Sequence, residues 1–135
     1  MKYLPDTNII SVIIEDNEVV VKTFESLHDD GHVFVISAIN YYEITRGLML
    51  PKYQKKLSKF KAFLSKTEII MLNTEILDTA TTIYQQLKPQ GQLIEDADTL
   101  IAATALHEQA ILVTDNTKHF ARVPNLKLEN WIERT

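Results

Sequence analysis

The chain has no cysteine, which excludes disulfides and thiolate chemistry and is compatible with a reducing compartment. With only three glycines and four prolines, it has no low-complexity stretch and no G-x-G-x-x-G, G-x-x-x-x-G-K-[ST] or G-x-S-x-G motif. Dinucleotide clasps, phosphate-cradling P-loops and the usual serine-hydrolase elbow are therefore not in prospect. No apolar run is long enough to cross a bilayer. Met1-Lys2-Tyr3-Leu4-Pro5-Asp6 meets a carboxylate at once, so no signal peptide is expected, and a cytoplasmic location is. The four histidines (His28, His32, His107 and His119) show no zinc spacing and read as surface or loop residues. There is no excess of basic charge. A net charge of −4 argues against a protein that coats nucleic acid by bulk attraction. It leaves room for a nuclease, because bound metal ions reverse the sign of an acidic site locally.

What is present is ordinary globular composition, 45% hydrophobic and 24% charged over 135 residues. That length suits one domain spanning 1–135, without linker or repeat. Tyr3-Leu4 reads as a short first strand ending in the polar turn Asp6-Thr7-Asn8. Pro5 has no N–H to give a central strand, so pairing should end or bulge there. Helices are expected over Ile9–Ile14 and Val19–Leu27. Val33-Phe34-Val35-Ile36 is a continuous apolar run, the pattern of a strand buried on both faces. Ser37 is placed to cap a helix reaching about Leu50, and Lys52–Leu64 and Thr74–Leu87 read as further helices. Ile69–Leu72 and Ile111–Thr114 are strand candidates, with a short fifth near Leu126–Leu128. The clearest helix is Asp96–His107, where Ala97, Leu100, Ile101, Thr104 and Ala105 form a helical stripe. Alternating strands and helices predict a mostly parallel sheet with helices on both faces.

Four carboxylates stand where strands should end or helices begin: Asp6, Glu43, Asp98 and Asp115. Each has an ordinary explanation. Asp6 can cap a turn, Glu43 can pair with Arg46 on a helix surface, Asp98 or Asp96 can favour a helix dipole, and Asp115 can start a helix. Jointly these explanations need four independent coincidences. Ligands in open parallel sheets bind beyond the carboxyl ends of the strands, and carboxylates gathered there suit a hard divalent cation. Without a cation they would repel and raise one another's pKa.

Lys52, Lys55, Lys56, Lys59, Lys61 and Lys66 fall within 15 residues, interleaved with Tyr53, Phe60 and Phe63. They read as the solvated face of an amphipathic helix, and also as a ridge that could touch phosphates.

With those residues in hand, the chain resembles the PIN-domain family, and within it the VapC-type toxins of bacterial toxin–antitoxin pairs. The likeness runs nearly end to end. Tyr3-Leu4-Pro5-Asp6-Thr7-Asn8 looks like the family's opening strand and first metal-site aspartate. Glu43 in Tyr42-Glu43-Ile44-Thr45-Arg46-Gly47-Leu48 looks like its second acid. Asp98-Thr99-Leu100-Ile101-Ala102-Ala103-Thr104-Ala105 resembles D-x-x-I-A-A-x-A, the family's most specific motif, with Asp98 as third acid. Leu112-Val113-Thr114-Asp115-Asn116, with Phe120 and Trp131 after it, resembles the closing segment. Many relatives carry the fourth acid at the position held here by Asn116. Asp115 is one residue early, so either Asp115 is the fourth ligand, which we favour, or Asn116 supplies a neutral oxygen.

The resemblance implies a PIN-like three-layer α/β/α fold around a sheet of four to five strands. It implies a Mg²⁺- or Mn²⁺-dependent endoribonuclease that cuts tRNA or ribosomal RNA and so inhibits translation. Asp6, Glu43, Asp98 and Asp115 would be its catalytic and metal-holding residues, with Asn8, Thr114, Asn116 and Asp96 positioning them. Arg46, Lys52, Lys55, Lys56 and Lys59 are candidate RNA contacts. A cognate VapB-like antitoxin, a homodimer and a higher-order complex with the antitoxin are the implied partners. A PIN-like binding module without catalysis is the rival reading. A phosphoacceptor receiver fits poorly, since it wants an acidic pair after the first strand and a lysine after the last.

Overall fold

The computed structural model describes residues 1–134. Five strands, β1 (Lys2–Pro5), β2 (Val33–Ser37), β3 (Glu68–Ile70), β4 (Ile111–Val113) and β5 (Leu128–Glu129), form one sheet in the order β3-β2-β1-β4-β5. Every pairing is parallel, so the sheet is all-parallel where the sequence predicted it mostly so. The connecting helices are α1 (Thr7–Ile14), α2 (Glu18–Asp29), α3 (Ala38–Gly47), α4 (Gln54–Leu64), α5 (Thr74–Leu87), α6 (Asp96–Glu108) and α7 (Thr117–Phe120). Among the described residues no helix is long and apolar enough to cross a membrane.

The continuous apolar strands work as predicted because successive side chains point to opposite faces. Tyr3, Phe34, Ile36, Ile111 and Val113 enter one core with Ile10, Phe24, Phe60, Phe63 and Trp131. Leu4, Val35 and Leu112 enter the other, with Ile76, Ile83, Ile101 and Phe120. The central strands β1, β2 and β4 are thus clamped between two helix layers, while the edge strands β3 and β5 stay largely exposed. Helix α6 is more deeply sunk than its predicted stripe implied. Ala102 and Ala103 are fully buried, whereas Leu100 is only partly covered. Small side chains let α5 pack closely along α6.

Helix α3 stops at Gly47, three residues before the expected end. The chain then makes a 3-10 turn at Pro51–Tyr53 before α4. Proline is tolerated at the start of such a turn because no N–H is needed there.

Pro5 is the last residue of β1, opposite Val113, and there is no bulge. The Asp6 N–H donates to the Val113 carbonyl at 2.8 Å. Alternate residues of a parallel strand turn toward opposite neighbours, so Asp6 faces β4 and Pro5 faces β2. The missing N–H therefore falls on the side where pairing has already ended, at Tyr3 opposite Phe34.

The strand order reverses at β1: the chain builds outward through β2 and β3, then returns to place β4 on β1's other side. That switch point opens a crevice beyond the carboxyl ends of β1 and β4, where Asp6 and Thr114 emerge. Ala103→Leu should force bulk into the closed α5–α6 layer and cost about 1–3 kcal/mol. Urea denaturation measures this, and an unchanged midpoint would contradict the close packing.

Candidate active site

Asp6 sits at the N-cap of α1 and is 6% exposed. A buried carboxylate must be hydrogen-bonded, and this one draws donors from three parts of the chain. Its Oδ1 accepts from the Thr7 N–H at 2.9 Å and from Asn40 Nδ2 at 2.9 Å. Its Oδ2 accepts from the Thr114 hydroxyl at 2.8 Å, with Asn8 Nδ2 farther off at 3.5 Å. Oδ1 is filled, and Oδ2, with one short bond, keeps capacity for a cation or water.

Asn40 is fully buried and is held by Ser37, which caps α3. The Ser37 hydroxyl accepts from the Asn40 N–H at 3.0 Å. Asn40 also donates to the Thr7 hydroxyl at 3.0 Å, and Thr7 in turn donates to Glu43 Oε1 at 2.9 Å. One helical turn of α3 therefore orients both Asp6 and Glu43. Arg46 does not pair with Glu43; its guanidinium lies 5.1 Å from the centre of the Tyr42 ring.

Asp98 is half-buried in the first turn of α6. Burial, then the charges of Asp6, Glu95 and Glu43, push its carboxyl up to about 6, against a smaller opposing effect of His119. The three acids Asp6, Glu43 and Asp98 thus share one field. Among the described residues, no three acidic or histidine side chains close into a ready-made metal cage. The acids form an open set.

Asp115 is turned elsewhere. Its carboxylate receives both nitrogens of Arg134, at 2.6 and 2.5 Å, and Asn130 Nδ2 at 3.1 Å. Arg134 first, then Asn130, hold its carboxyl below the usual carboxylate range. The buried Trp131 anchors the tail that brings Arg134 there. Only the Asp115 backbone joins the site, its N–H donating to Asn8 Oδ1 at 3.1 Å. Asn116, by contrast, lines a cleft of about 390 Å³ together with Glu95, Asp98, His119 and Arg122. The Thr114 hydroxyl accepts from the Asn116 N–H at 3.0 Å while donating to Asp6. Asp96, expected among the positioning residues, faces a different groove, beside Leu77 and Tyr84 of α5.

The lysines from position 52 onward have other partners. Lys56 pairs with Glu15 at 3.6 Å and Lys59 with Asp16. Lys52 and Lys56 lie near the Tyr53 ring. Sequence reasoning missed Asn40; it took His119 as a surface or loop residue, and His119 is exposed while also lining the cleft. Asn40 precedes Glu43 by three residues, and His119 follows Asn116 by three, so helical spacing was the available signal.

The Asp98 carboxyl keeps its proton in the native chain up to about pH 6, whereas its ordinary value is 3.8. Between those values the folded state holds a proton that the unfolded state has lost, so stability falls as pH rises through that window. Asp98→Asn should therefore raise the melting temperature of the metal-free chain above pH 6 and leave it unchanged below about pH 3.8. Thermal scans in chelator across pH measure this; equal melting temperatures above pH 6 would deny the like-charge field.

The model of the family described as PIN domain matches residues 3–126. Ribonuclease VapC2 of Rickettsia felis is 35% identical, covering 97% of this chain and 98% of that protein. The tRNA(fMet)-specific endonuclease VapC of Shigella flexneri is 26% identical over 97% of this chain and 98% of its own length. The crystal structure of VapBC2 from Rickettsia felis, bound to a DNA fragment from its promoter, contains a chain similar to this one. Its TM-score is 0.89 at 34% identity, covering 98% of this chain and 100% of that one. The crevice of acids at the β1–β4 switch point is therefore set in a familiar frame: the chain belongs to the PIN-domain family and, within it, to the VapC ribonuclease toxins of VapBC toxin–antitoxin systems.

Proposed function

We propose that residues 1–135 form a single nuclease domain that cuts RNA endonucleolytically with Mg²⁺ or Mn²⁺, acting on tRNA or ribosomal RNA to inhibit translation. The observation that carries this reading is the gathering of Asp6, Glu43 and Asp98 at the sheet's switch point, where burial first, and then the charges of Asp6, Glu95 and Glu43, lift the Asp98 carboxyl to about 6. Such a gathering is unfavourable in an empty protein and is relieved by a cation. The donor set is all oxygen, which suits a hard ion. Mg²⁺ commonly binds through one or two carboxylates while keeping waters and substrate phosphates, so an open set suits it better than a cage.

Asp6, Glu43 and Asp98 would hold the ion, directly or through water, and the Asn116 amide oxygen would take the fourth place. We prefer Asn116 to Asp115 because Asn116 lines the cleft, whereas Asp115 is neutralised by Arg134. A bound divalent ion supplies a water of lowered pKa and charge neutralisation at the phosphate. The chain's own residues do the placing. Asn40 and Thr114 fix the Asp6 oxygens, Thr7 fixes Glu43, and Asn8 and Thr114 secure the turn that presents Asn116. Fixing the carboxylates before substrate arrives spares that ordering at the moment of reaction. The tRNA side of the substrate class is supported by the Shigella flexneri relative.

A cognate VapB-like antitoxin, a homodimer, a higher-order complex with the antitoxin and a cytoplasmic location complete the proposal. The antitoxin is supported by the similar chain solved within VapBC2 on promoter DNA. An acidic crevice also favours a basic side chain from such a partner.

Asp6→Ala and Asp98→Ala should each abolish cleavage while the circular dichroism of the fold persists. Asn116→Ala should lower cleavage more than Asp115→Ala does. RNA ends mapped after brief expression give the readout, and full activity after metal stripping would overturn the metal-dependent reading. Affinity capture should also recover a small protein encoded beside the gene, identified by mass spectrometry; no binder would count against the toxin pairing and leave the nuclease reading intact.

A further inference from the structure

We propose that the cleft beside Asp98 is a subsite for one unstacked ribonucleotide flanking the cleaved phosphodiester, with Arg122 as its phosphate contact and Leu93 as its apolar wall. This rests on the ribonuclease reading above. The lining of the cleft combines two kinds of group. Asp98, Glu95 and Asn116 bring oxygens suited to a cation. His119 and Arg122 bring nitrogen groups, and the permanent charge of Arg122 suits an anion.

Both lips are fixed before any ligand arrives. The Arg122 guanidinium donates to the Leu93 carbonyl at 3.2 Å, tying the segment before α6 to the turn after α7. That bond uses one of five N–H groups. Among the described residues, neither the rest of the guanidinium nor the His119 ring has a hydrogen-bond partner. Leu93 is 41% exposed on the wall, while Ile94 packs partly into the core beneath. An anion-binding guanidinium, an apolar wall and metal-binding oxygens in one cleft match the phosphate, the base or sugar, and the reacting phosphodiester of an RNA strand.

Size narrows the occupant. A volume of about 390 Å³ lies near the low end of small-molecule sites, roughly 300–1,000 Å³. It admits one nucleotide unit and not a stacked helix. Bases in an A-form duplex are not available for such insertion, whereas loops and single strands can splay a base out. The cleft therefore selects unpaired RNA.

The test uses a fluorescently labelled short single-stranded oligoribonucleotide and anisotropy in Mg²⁺ buffer. The Asp98→Asn background prevents cleavage. Arg122→Gln keeps a donor for the Leu93 carbonyl but removes the charge. It should weaken binding about ten-fold and reduce the salt slope by about 0.7, one phosphate contact. Leu93→Ala, on the surface and safe for folding, should weaken binding with the salt slope unchanged. In the otherwise unaltered enzyme both changes should raise KM more than they lower kcat. Wild-type-like affinity in both variants of an enzyme that does cleave RNA would overturn the subsite, as would equal affinity for a duplex of the same sequence. If the unaltered chain cleaves nothing with Mg²⁺ or Mn²⁺, yet both substitutions weaken single-strand binding, the ribonuclease reading fails and the subsite stands.

Discussion

The carboxylate of Asp6 is the point on which the rest of the site depends. An ionised group buried to this degree is tolerated only if its lone pairs are met, and meeting them recruits distant parts of the chain. Thr7 comes from the same turn, Asn40 from α3 and Thr114 from the end of β4. The backbone of Asp6 is fixed as well, by its bond to Val113. One side chain thereby locks the first strand, the first helix, the third helix and the last central strand into one arrangement. Glu43 and Asn116 inherit their positions from that lock, through Thr7 and Thr114 respectively.

Around this point the molecule divides its labour. The sheet and its two helix layers are apolar and closed, and an aromatic group of Tyr3, Phe24, Phe34, Phe63 and Trp131 packs under one face. The crevice above the sheet keeps like charges together instead. Real proteins depart from local consistency at functional sites and make up the stability elsewhere. Asp98 shows the departure most clearly, because its carboxyl is raised by burial and by neighbouring acids, which outweigh the opposing effect of His119.

The cationic groups are distributed to match. In the lysine-rich segment, Lys56 and Lys59 pair with acids just after α1, and Lys52 and Lys56 lie near the Tyr53 ring. Arg134 is committed to Asp115. The basic groups that share the cleft with Asp98 are His119 and Arg122. Raw density of basic residues along the chain is therefore a poor guide to free positive charge, since much of that charge is balanced or rests on aromatic rings.

The sequence alone determined the class of fold, because continuous apolar strands between amphipathic helices have few other ways to bury themselves. It also carried one helix start, through Ser37, whose side chain accepts from the first helical turn, as those of Asn17 and Asn73 do in the structure. Asp6, Glu43 and Asp98 could be singled out from placement and motif. Between Asp115 and Asn116 the sequence favoured Asp115, whereas the structure turns Asp115 to Arg134 and sets Asn116 in the cleft. Adjacent residues leaving a strand point in different directions, and which one faces the crevice was decided by Arg134, brought round by Trp131 at the far end of the chain. Asn40 carried only its helical spacing from Glu43 as a signal, because a polar residue in a helix gains its full meaning when a carboxylate from 34 positions away is packed against it. Local pattern is set by neighbours along the chain. The aim of a side chain at a strand end, and the partner that a buried polar group finds, are set by contacts that exist only after the sheet has closed.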